Sequence, residues 1–380
     1  MKRALRGLMW VMLSTALVVM APRALAQRPP DQAPVDVGQD FNLSWDRSAV
    51  PSMIELVPQK TVIANDRTGL DGYGKLFYTC VSSADTQQGR CPTSDTMDPA
   101  ANRASTIALQ FREKRSGMRI DVDVEGELLR IQPTAACFSD YWDQTAHYLW
   151  SSQTAECNFR DPAGTALGLR IQQRELEKLV AGHWVATLSI DLRKPPSQLL
   201  LKNDFRLELA ITDRDAVAIY FPQFDEIAPH VGMNLRYDPI AQTVGGGTTV
   251  DMCLYDGLGS QAAYLGVTVR DSGARAPGPL GFSAWHRDSG GSGDSERLDY
   301  TVTLDHSGAL IPMRNGIEEQ LTGIDSAKLK LVLLPGMSQP VFCVHTPLRL
   351  NMPRVPIAEK QPGYYRGDLK VELRVPTGVP

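Results

Sequence analysis

Alternation of apolar and polar residues with a period of two dominates this 380-residue chain and restricts it to extended, sheet-forming architecture. Met118, Ile120, Val122 and Val124 alternate with Arg119, Asp121 and Asp123, while Trp184, Ala186, Leu188, Ile190 and Leu192 alternate with mostly polar neighbours. Phe205, Leu207, Leu209 and Ile211 do the same against Arg206 and Glu208. The second half repeats the theme at Tyr300, Val302 and Leu304, at Leu329, Leu331 and Leu333, and at Leu369, Val371, Leu373 and Val375. Successive side chains of a strand point to opposite faces, so each run buries one face and leaves the other in water. Many short strands punctuated by Gly, Pro, Asp and Asn predict an all-β chain built of antiparallel sandwiches. The one helical piece is short, from Gln173 to Val180. Gly245–Gly247 and Ser289–Gly293 read as loop tips; no Gly-Lys-Ser/Thr follows either, which removes a phosphate cradle.

The compartment follows from the start of the chain and from its cysteines. A basic n-region opening at Met1, an apolar run from Leu8 to Met20 and the small-x-small site Ala24-Leu25-Ala26 make residues 1–26 a removable signal peptide. The apolar run is shorter than the roughly 20 residues a spanning helix needs. Six cysteines follow it, in an oxidising space. Cys80 and Cys91 lie close together, as do Cys137 and Cys157, whereas Cys253 and Cys343 are far apart. That layout suggests three disulfides and a chain divided in two, although six cysteines allow many other pairings. In the loop-entropy picture a short loop contributes about 3 kcal/mol and a long one about 4 to 5 kcal/mol. Gln27 to about Val37, rich in Pro, Gln and Asp, reads as a flexible mature N-terminus. Thr212-Asp-Arg-Asp215 separates two strand patterns, which sets the expected domains at 27–213 and 214–380, joined by a short link.

Charge and motifs exclude several function classes. Loss of the signal removes Lys2, Arg3, Arg6 and Arg23 and no acid, taking the net charge from −4 to −8. Such a chain has no positive field to gather phosphates, so nucleic acid is not an expected partner. His147, His183, His230, His286, His306 and His345 are scattered without His-x-x-x-His or Cys-x-x-Cys spacing, so neither a metal nor another cofactor is expected. No Gly-x-Ser-x-Gly turn marks a nucleophile. Acids such as Asp140 and Asp143 have ordinary solvent-facing explanations, and no carboxylate pair is singled out for glycoside hydrolysis. Arg193-Lys194, followed by Pro195-Pro196 at the end of a clear strand, is the cationic group that merits weight. A solvated strand end guarded by charge and proline is the plain reading; an exposed spot able to grip an acidic sugar is the functional one. Arg112-Glu-Lys-Arg115 reads as a charged solvent-facing turn. The last strand, Leu369 to Val375, ends almost at the terminus and has the regular alternation of a strand that pairs through its edge with another chain.

Five stretches in register carry a family resemblance: Cys80-Val-Ser-Ser-Ala-Asp with Gly89-Arg-Cys-Pro-Thr-Ser-Asp95, Ile107 to Ser116, Tyr220-Phe-Pro-Gln-Phe224, Val250 to Gly257, and Gly363 to Lys370. From about residue 75 onward the chain resembles the CblD/CfaE family, minor pilins that serve as tip adhesins and pilus initiators of class 5 (alpha) chaperone–usher fimbriae in Gram-negative bacteria. The resemblance implies two immunoglobulin-like β-sandwich domains in tandem, an N-terminal adhesin domain and a C-terminal pilin domain whose fold is incomplete. It implies export through the periplasm to the fimbrial tip at the cell surface. The implied partners are a periplasmic chaperone, an outer-membrane usher, a major pilin subunit that donates the missing strand, and a host surface glycoconjugate. It implies disulfides Cys80–Cys91 and Cys137–Cys157 in the adhesin domain and Cys253–Cys343 in the pilin domain. Matched from Trp184 forward, the family's ligand-binding arginines fall on Arg193, Lys194 and Pro195, and a further one falls on Lys75. The double arginine has thus become Lys then Pro, and lysine keeps the charge but loses the planar fork that grips a carboxylate twice. Leu369, Val371, Leu373 and Val375 are the expected subunit or chaperone interface. A secreted β-sandwich carbohydrate-active enzyme is the alternative from another class, and an initiator whose adhesin domain has no ligand is a third reading.

Overall fold

The computed structural model describes residues 28–99, 103–135, 140–143, 145–154, 160–226 and 228–376. The expected signal peptide, Cys137 and Cys157 lie outside the described residues. Eight strands precede residue 213: β1 (Asp40–Asp46), β2 (Met53–Asn65), β3 (Phe77–Cys80), β4 (Ser105–Glu113), β5 (Arg119–Ile131), β6 (Gly164–Gln172), β7 (Gly182–Lys194) and β8 (Gln198–Thr212). They form one sheet in the order β1-β8-β7-β4-β5-β6-β2, with β3 also on β7. Every pairing in it is antiparallel except β1 with β8. The period of two explains the packing. Trp184, Leu188, Ile190 and Leu192 of β7 and Phe205, Leu207, Leu209 and Ile211 of β8 are buried, together with Val122 and Val124 of β5. Each such side chain contributes roughly 1.5–3 kcal/mol when taken out of water. Helix α1 (Gln173–Leu176) occupies the first half of the expected helical piece, and residues 177–180 are not helical.

Fourteen strands follow: β9 (Ala218–Tyr220), β10 (Arg236–Asp238), β11 (Thr243–Val250), β12 (Cys253–Tyr255), β13 (Tyr264–Asp271), β14 (Phe282–His286) and β15 (Arg297–His306), then β16 (Ala309–Pro312), β17 (Glu318–Thr322), β18 (Leu329–Val332), β19 (Val341–His345), β20 (Leu348–Pro356), β21 (Tyr365–Arg366) and β22 (Leu369–Arg374). They assemble as β10-β11-β20-β15-β14-β21 with β16 on β15, as β18-β19-β12-β9, and as β17-β13-β22. The molecule is all-β, with a core in each half.

The sheet β18-β19-β12-β9 is shared by both cores. Ala218 and Tyr220 of β9, Cys253 and Tyr255 of β12, and Val341 and Cys343 of β19 pack with the core of the first half. Their neighbours of opposite parity, Ile219, Leu254 and Val344, pack with the core of the second. Alternation along a strand therefore ties the two halves together. Two disulfides are formed among the described residues, Cys80–Cys91 and Cys253–Cys343, with Cα atoms 5.2 and 5.6 Å apart. The second joins β12 to β19 on the face turned to the first half's core.

Three expectations need correction. Residues from Pro29 onward are docked: Asn65 Nδ2 donates to the carbonyls of Pro29 and Pro30 at 3.0 Å, and Gln32 bridges Asn65 through reciprocal backbone bonds of 2.8 Å. Backbone pairing to the edge of β2 outweighs the composition. Gly245–Gly247 lie inside β11, since a Cβ on Gly246 would sit 2.5 Å from the Asn234 carbonyl and one on Gly247 2.7 Å from that of Leu350. Close backbone approach, not turn geometry, requires glycine there. On β18, Val332 and the following Leu334 are buried, whereas Leu331 and Leu333 are about half exposed, at 50% and 56%. The shared sheet turns the even positions inward.

Candidate functional site

The three cations singled out by sequence meet at one end of the first sheet. β7 ends in Arg193-Lys194, and β3 runs antiparallel to it with Phe77 opposite Arg193. A 3-10 turn over Tyr73–Lys75 leads into β3, which sets Lys75 beside the same strand end. Gly72, in the left-handed region at φ +64°, opens that turn; a Cβ on it would lie 3.5 Å from Lys194 Cε, so the lysine stem crosses the turn. The left-handed φ is what favours glycine there.

The charges of the three cations are unequally available. Arg193 donates from Nε to Thr79 Oγ1 at 3.0 Å, from Nη1 to the Ser197 carbonyl at 3.2 Å, and from Nη2 to Asp191 Oδ2 at 2.7 Å. Its head is thus committed to its own sheet. Lys75 Nζ pairs with Asp161 Oδ2 at 2.7 Å, both side chains being largely exposed. The Lys194 side chain has no hydrogen bond or ion pair among the described residues, and the residue is half-buried. Nearby acids dilute the positive field. Hydrogen bonds from the Asp71 N–H and the Thr68 hydroxyl and N–H hold the Asp66 carboxyl below its ordinary range despite some desolvation. Burial, with Asp71 beside it, pushes the Tyr73 hydroxyl up. The cluster offers one free ammonium, a point charge, flanked by two cations that would have to exchange partners.

The expected interface residues lie in the second half. β22 pairs antiparallel with β13 from Gly266↔Arg374 to Asp271↔Leu369, and its other edge has no strand partner among the described residues. Leu369, Val371, Leu373 and Val375 pack against the second core but are only half-buried, unlike the fully buried alternating set of β8. Phe221, Phe224, Val231 and Met233 are half-buried against that core too, and residues 228–235 carry no strand pairing. β9 comes close to β22.

Several polar groups have roles that their residue types did not reveal. Arg115 does not face solvent; its Nη2 donates to the carbonyls of Ala327 at 2.6 Å and Ile324 at 3.3 Å, across to the second half. Lys114 of the same turn pairs with Glu208. Arg130 is fully buried, its head donating to Leu76 O and Ser151 O at 2.7 Å and to Thr165 Oγ1 at 2.8 Å, and burial lowers its pKa to about 10. Asp143, expected at the surface, is buried with its Oδ2 2.9 Å from His147 Nε2. Its position inside the sandwich follows from the β5 edge, where His147 pairs with Leu128 and Trp142 with Ile131. No group of three metal-binding side chains gathers among the described residues.

Comparison with known proteins gives these features a context. Residues 22–214 match the family model for the first domain of the CFA/I fimbrial protein CfaE, and residues 217–377 match that for its second domain. The CfaE fimbrial protein of Escherichia coli CFA/I fimbriae is 28% identical over 313 residues, spanning 79% of this chain and 80% of that protein. The crystal structure of CfaE, described as the adhesive subunit of the CFA/I fimbria of enterotoxigenic Escherichia coli, is similar with a TM-score of 0.66 and 25% identity, covering 92% of this chain and 95% of that one. A chaperone–tip adhesin complex of CFA/I fimbriae biogenesis contains a chain with a TM-score of 0.63 and 24% identity, covering 92% of this chain and 99% of the other.

Proposed function

The chain belongs to the CfaE family of CFA/I-type fimbrial proteins, and on that premise we propose that it is a fimbrial tip adhesin that also starts pilus assembly. It is an exported fimbrial surface protein and not an enzyme, since its family consists of fimbrial subunits; the carbohydrate-active enzyme is set aside on that ground. Residues 27–213 act as the adhesin domain and residues 214–380 as the pilin domain. The observation that carries the assembly role is β22: an apolar strand face that is half-exposed, beside an edge with no strand partner among the described residues. An exposed apolar edge of this kind templates pairing with another chain and aggregates unless covered. A periplasmic chaperone covers it first, the outer-membrane usher exchanges the cover, and the N-terminal extension of the major pilin fills the groove between Leu369–Val375 and the half-buried residues around Val231 and Met233. The solved chaperone–tip adhesin complex of a fold relative supports the first of these steps.

The adhesin domain binds an acidic host glycoconjugate at the strand end formed by Lys75, Arg193 and Lys194, with the free ammonium of Lys194 as the leading contact. The assembly reading is tested by adding a synthetic peptide of the N-terminal extension of the shaft pilin from the same bacterium and following thermal unfolding. A ligand that binds only the folded state stabilises by about 2.7 kcal/mol when its free concentration is about a hundredfold above Kd. The expected result is a clear rise in melting temperature; an unchanged melting temperature at saturating peptide counts against an open groove.

A further inference from the structure

A cleft of about 410 Å³ opens on the second half, where β15 turns into β16 and β19 passes into β20. Its walls come from three stretches of chain: Asp305 and Ser307 at the first of these turns, Lys328 just before β18, and His345 and Pro347 at the second turn. Backbone groups lock the three stretches together. The Lys328 N–H donates to Ser307 Oγ at 3.1 Å, the His345 N–H to the Lys328 carbonyl at 3.0 Å, and the Asp305 N–H to the Pro347 carbonyl at 2.9 Å. The cleft is therefore shaped before any ligand arrives, and its size falls in the range of small-molecule sites, roughly 300–1,000 Å³. None of its residues belongs to β22 or to the first half of the chain.

Most charges around the cleft are matched, and one is not. Asp305 Oδ1 accepts from the Gly308 N–H at 3.0 Å, and its Oδ2 pairs with Arg349. Lys330 and His345 share the Asp251 carboxylate, with His345 Nε2 2.7 Å from Asp251 Oδ1. Despite desolvation, these two bonds hold the Asp251 carboxyl below its ordinary range. An ionised carboxylate only accepts, so the His345 proton sits on Nε2, and in the neutral ring Nδ1 is an acceptor. Lys328 differs from its neighbours: its amide and carbonyl are bonded, but its exposed ammonium has no hydrogen bond or ion pair among the described residues. The Ser307 hydroxyl proton likewise has no acceptor among them. Arg349 cancels Asp305 and Lys330 cancels Asp251, while Asp325 is exposed and outside the lining. The cleft thus keeps one excess positive charge beside acceptors that still have lone pairs.

We infer that this cleft is a second ligand site, which takes a single sugar unit carrying one carboxylate, of the hexuronic acid type. The Lys328 ammonium takes the carboxylate in a charge-assisted bond, and the Ser307 hydroxyl donates to a ring or hydroxyl oxygen. Hydroxyls of the sugar donate to Asp305 and to His345 Nδ1, and the ring of Pro347 meets the C–H face of the pyranose. The class follows from which groups need partners. A bare anion such as phosphate sets its charge against Asp305 and offers the acceptors too few donors; a neutral sugar leaves the ammonium unpaired. The site is separate from Lys75, Arg193 and Lys194 and from the edge of β22, so it depends on neither proposed role. Through it the second half touches glycan as well as other subunits.

Amide NMR spectra of the isotopically labelled full chain, titrated with sodium glucuronate, test the inference. The amides of Gly308, Lys328 and His345 are expected to shift together with a Kd on the order of 1 mM, the range for a ligand of so few atoms. Glucose and inorganic phosphate are each expected to bind there at least about tenfold more weakly. Lys328→Ala, a change to an exposed side chain that keeps the backbone bonds, is expected to abolish the shifts. Unmoved amides at about ten times that Kd overturn the proposal. Shifts that survive Lys328→Ala, that phosphate reproduces at equal strength, or that are confined to amides around Lys194 overturn it too. A hyaluronan tetrasaccharide and acidic oligosaccharides from the surface of the bacterium that bears the fimbria separate the two sources of such a sugar. The tighter of the two identifies the source; weaker binding of both than of free glucuronate overturns a glycan as the occupant.

Discussion

Arg193 and Lys194 are adjacent at the end of β7, yet the structure gives them different work. Arg193 spends three donors on Thr79, Asp191 and Ser197, whereas Lys194 lies over Gly72 with its ammonium free. Lys194→Ala is therefore expected to reduce attachment of the purified protein to host epithelial cells while leaving its stability within about 0.5 kcal/mol of wild type, as for most surface changes. Arg193→Ala is expected to lower stability by about 1–3 kcal/mol, since Asp191 is left without its partner. Cell attachment measured beside urea denaturation separates the two effects; equal loss of attachment with no stability difference would make Arg193 a direct contact instead. The cationic residue types at this spot were legible in the chain. Their pairing was not, because Asp161 and Asp191 become partners only through the positions of β3, β7 and the turn before β3. Buried Arg130 and Asp143 were invisible for the same reason: a charged residue reads as exposed until a set of carbonyls or a histidine is brought to it.

Among the elements, β22 and β8 carry the same kind of alternation and end in different states. Phe205, Leu207, Leu209 and Ile211 of β8 are buried, since β8 has β7 on one side and β1 on the other and a full core beneath. Leu369, Val371 and Leu373 of β22 are half-buried with β13 alone beside them. Leu373→Asp is expected to weaken binding of the shaft-pilin peptide at least tenfold, about 1.4 kcal/mol, by setting a charge against an apolar donor face. Titration calorimetry with that peptide reads the change, and unaltered affinity would place the accepting surface elsewhere. The existence of β5, β7, β8, β15, β18 and β22 was readable from periodicity. Which face of a strand is covered, and by what, was not: β18 presents Val332 to the first core and leaves Leu331 half-exposed, the reverse of what its leucines alone suggest.

At the scale of the whole molecule, the two halves share the sheet β18-β19-β12-β9, whose opposite faces belong to different cores. Arg115 and Asp213 add hydrogen bonds across the same junction. Such a chain is expected to unfold in one cooperative transition, with calorimetric and van't Hoff enthalpies equal; two resolved transitions would mean that the shared sheet does not couple the cores. Cys253–Cys343 spans 90 residues and lies in that sheet, so its removal is expected to cost about 4 to 5 kcal/mol by loop entropy. By itself the sequence determined the all-β class, the position of β5, β7, β8, β15, β18 and β22, the number and spacing of the cysteines and the family, because period-two patterning and motif spacing are local or carried in register along the chain. Only the tertiary structure decided that the long-range disulfide faces the first core, that one cation of three keeps a free charge, and that Arg115 bonds across to the second half. Those outcomes depend on which distant backbone and side-chain groups meet, and a linear pattern does not encode that meeting.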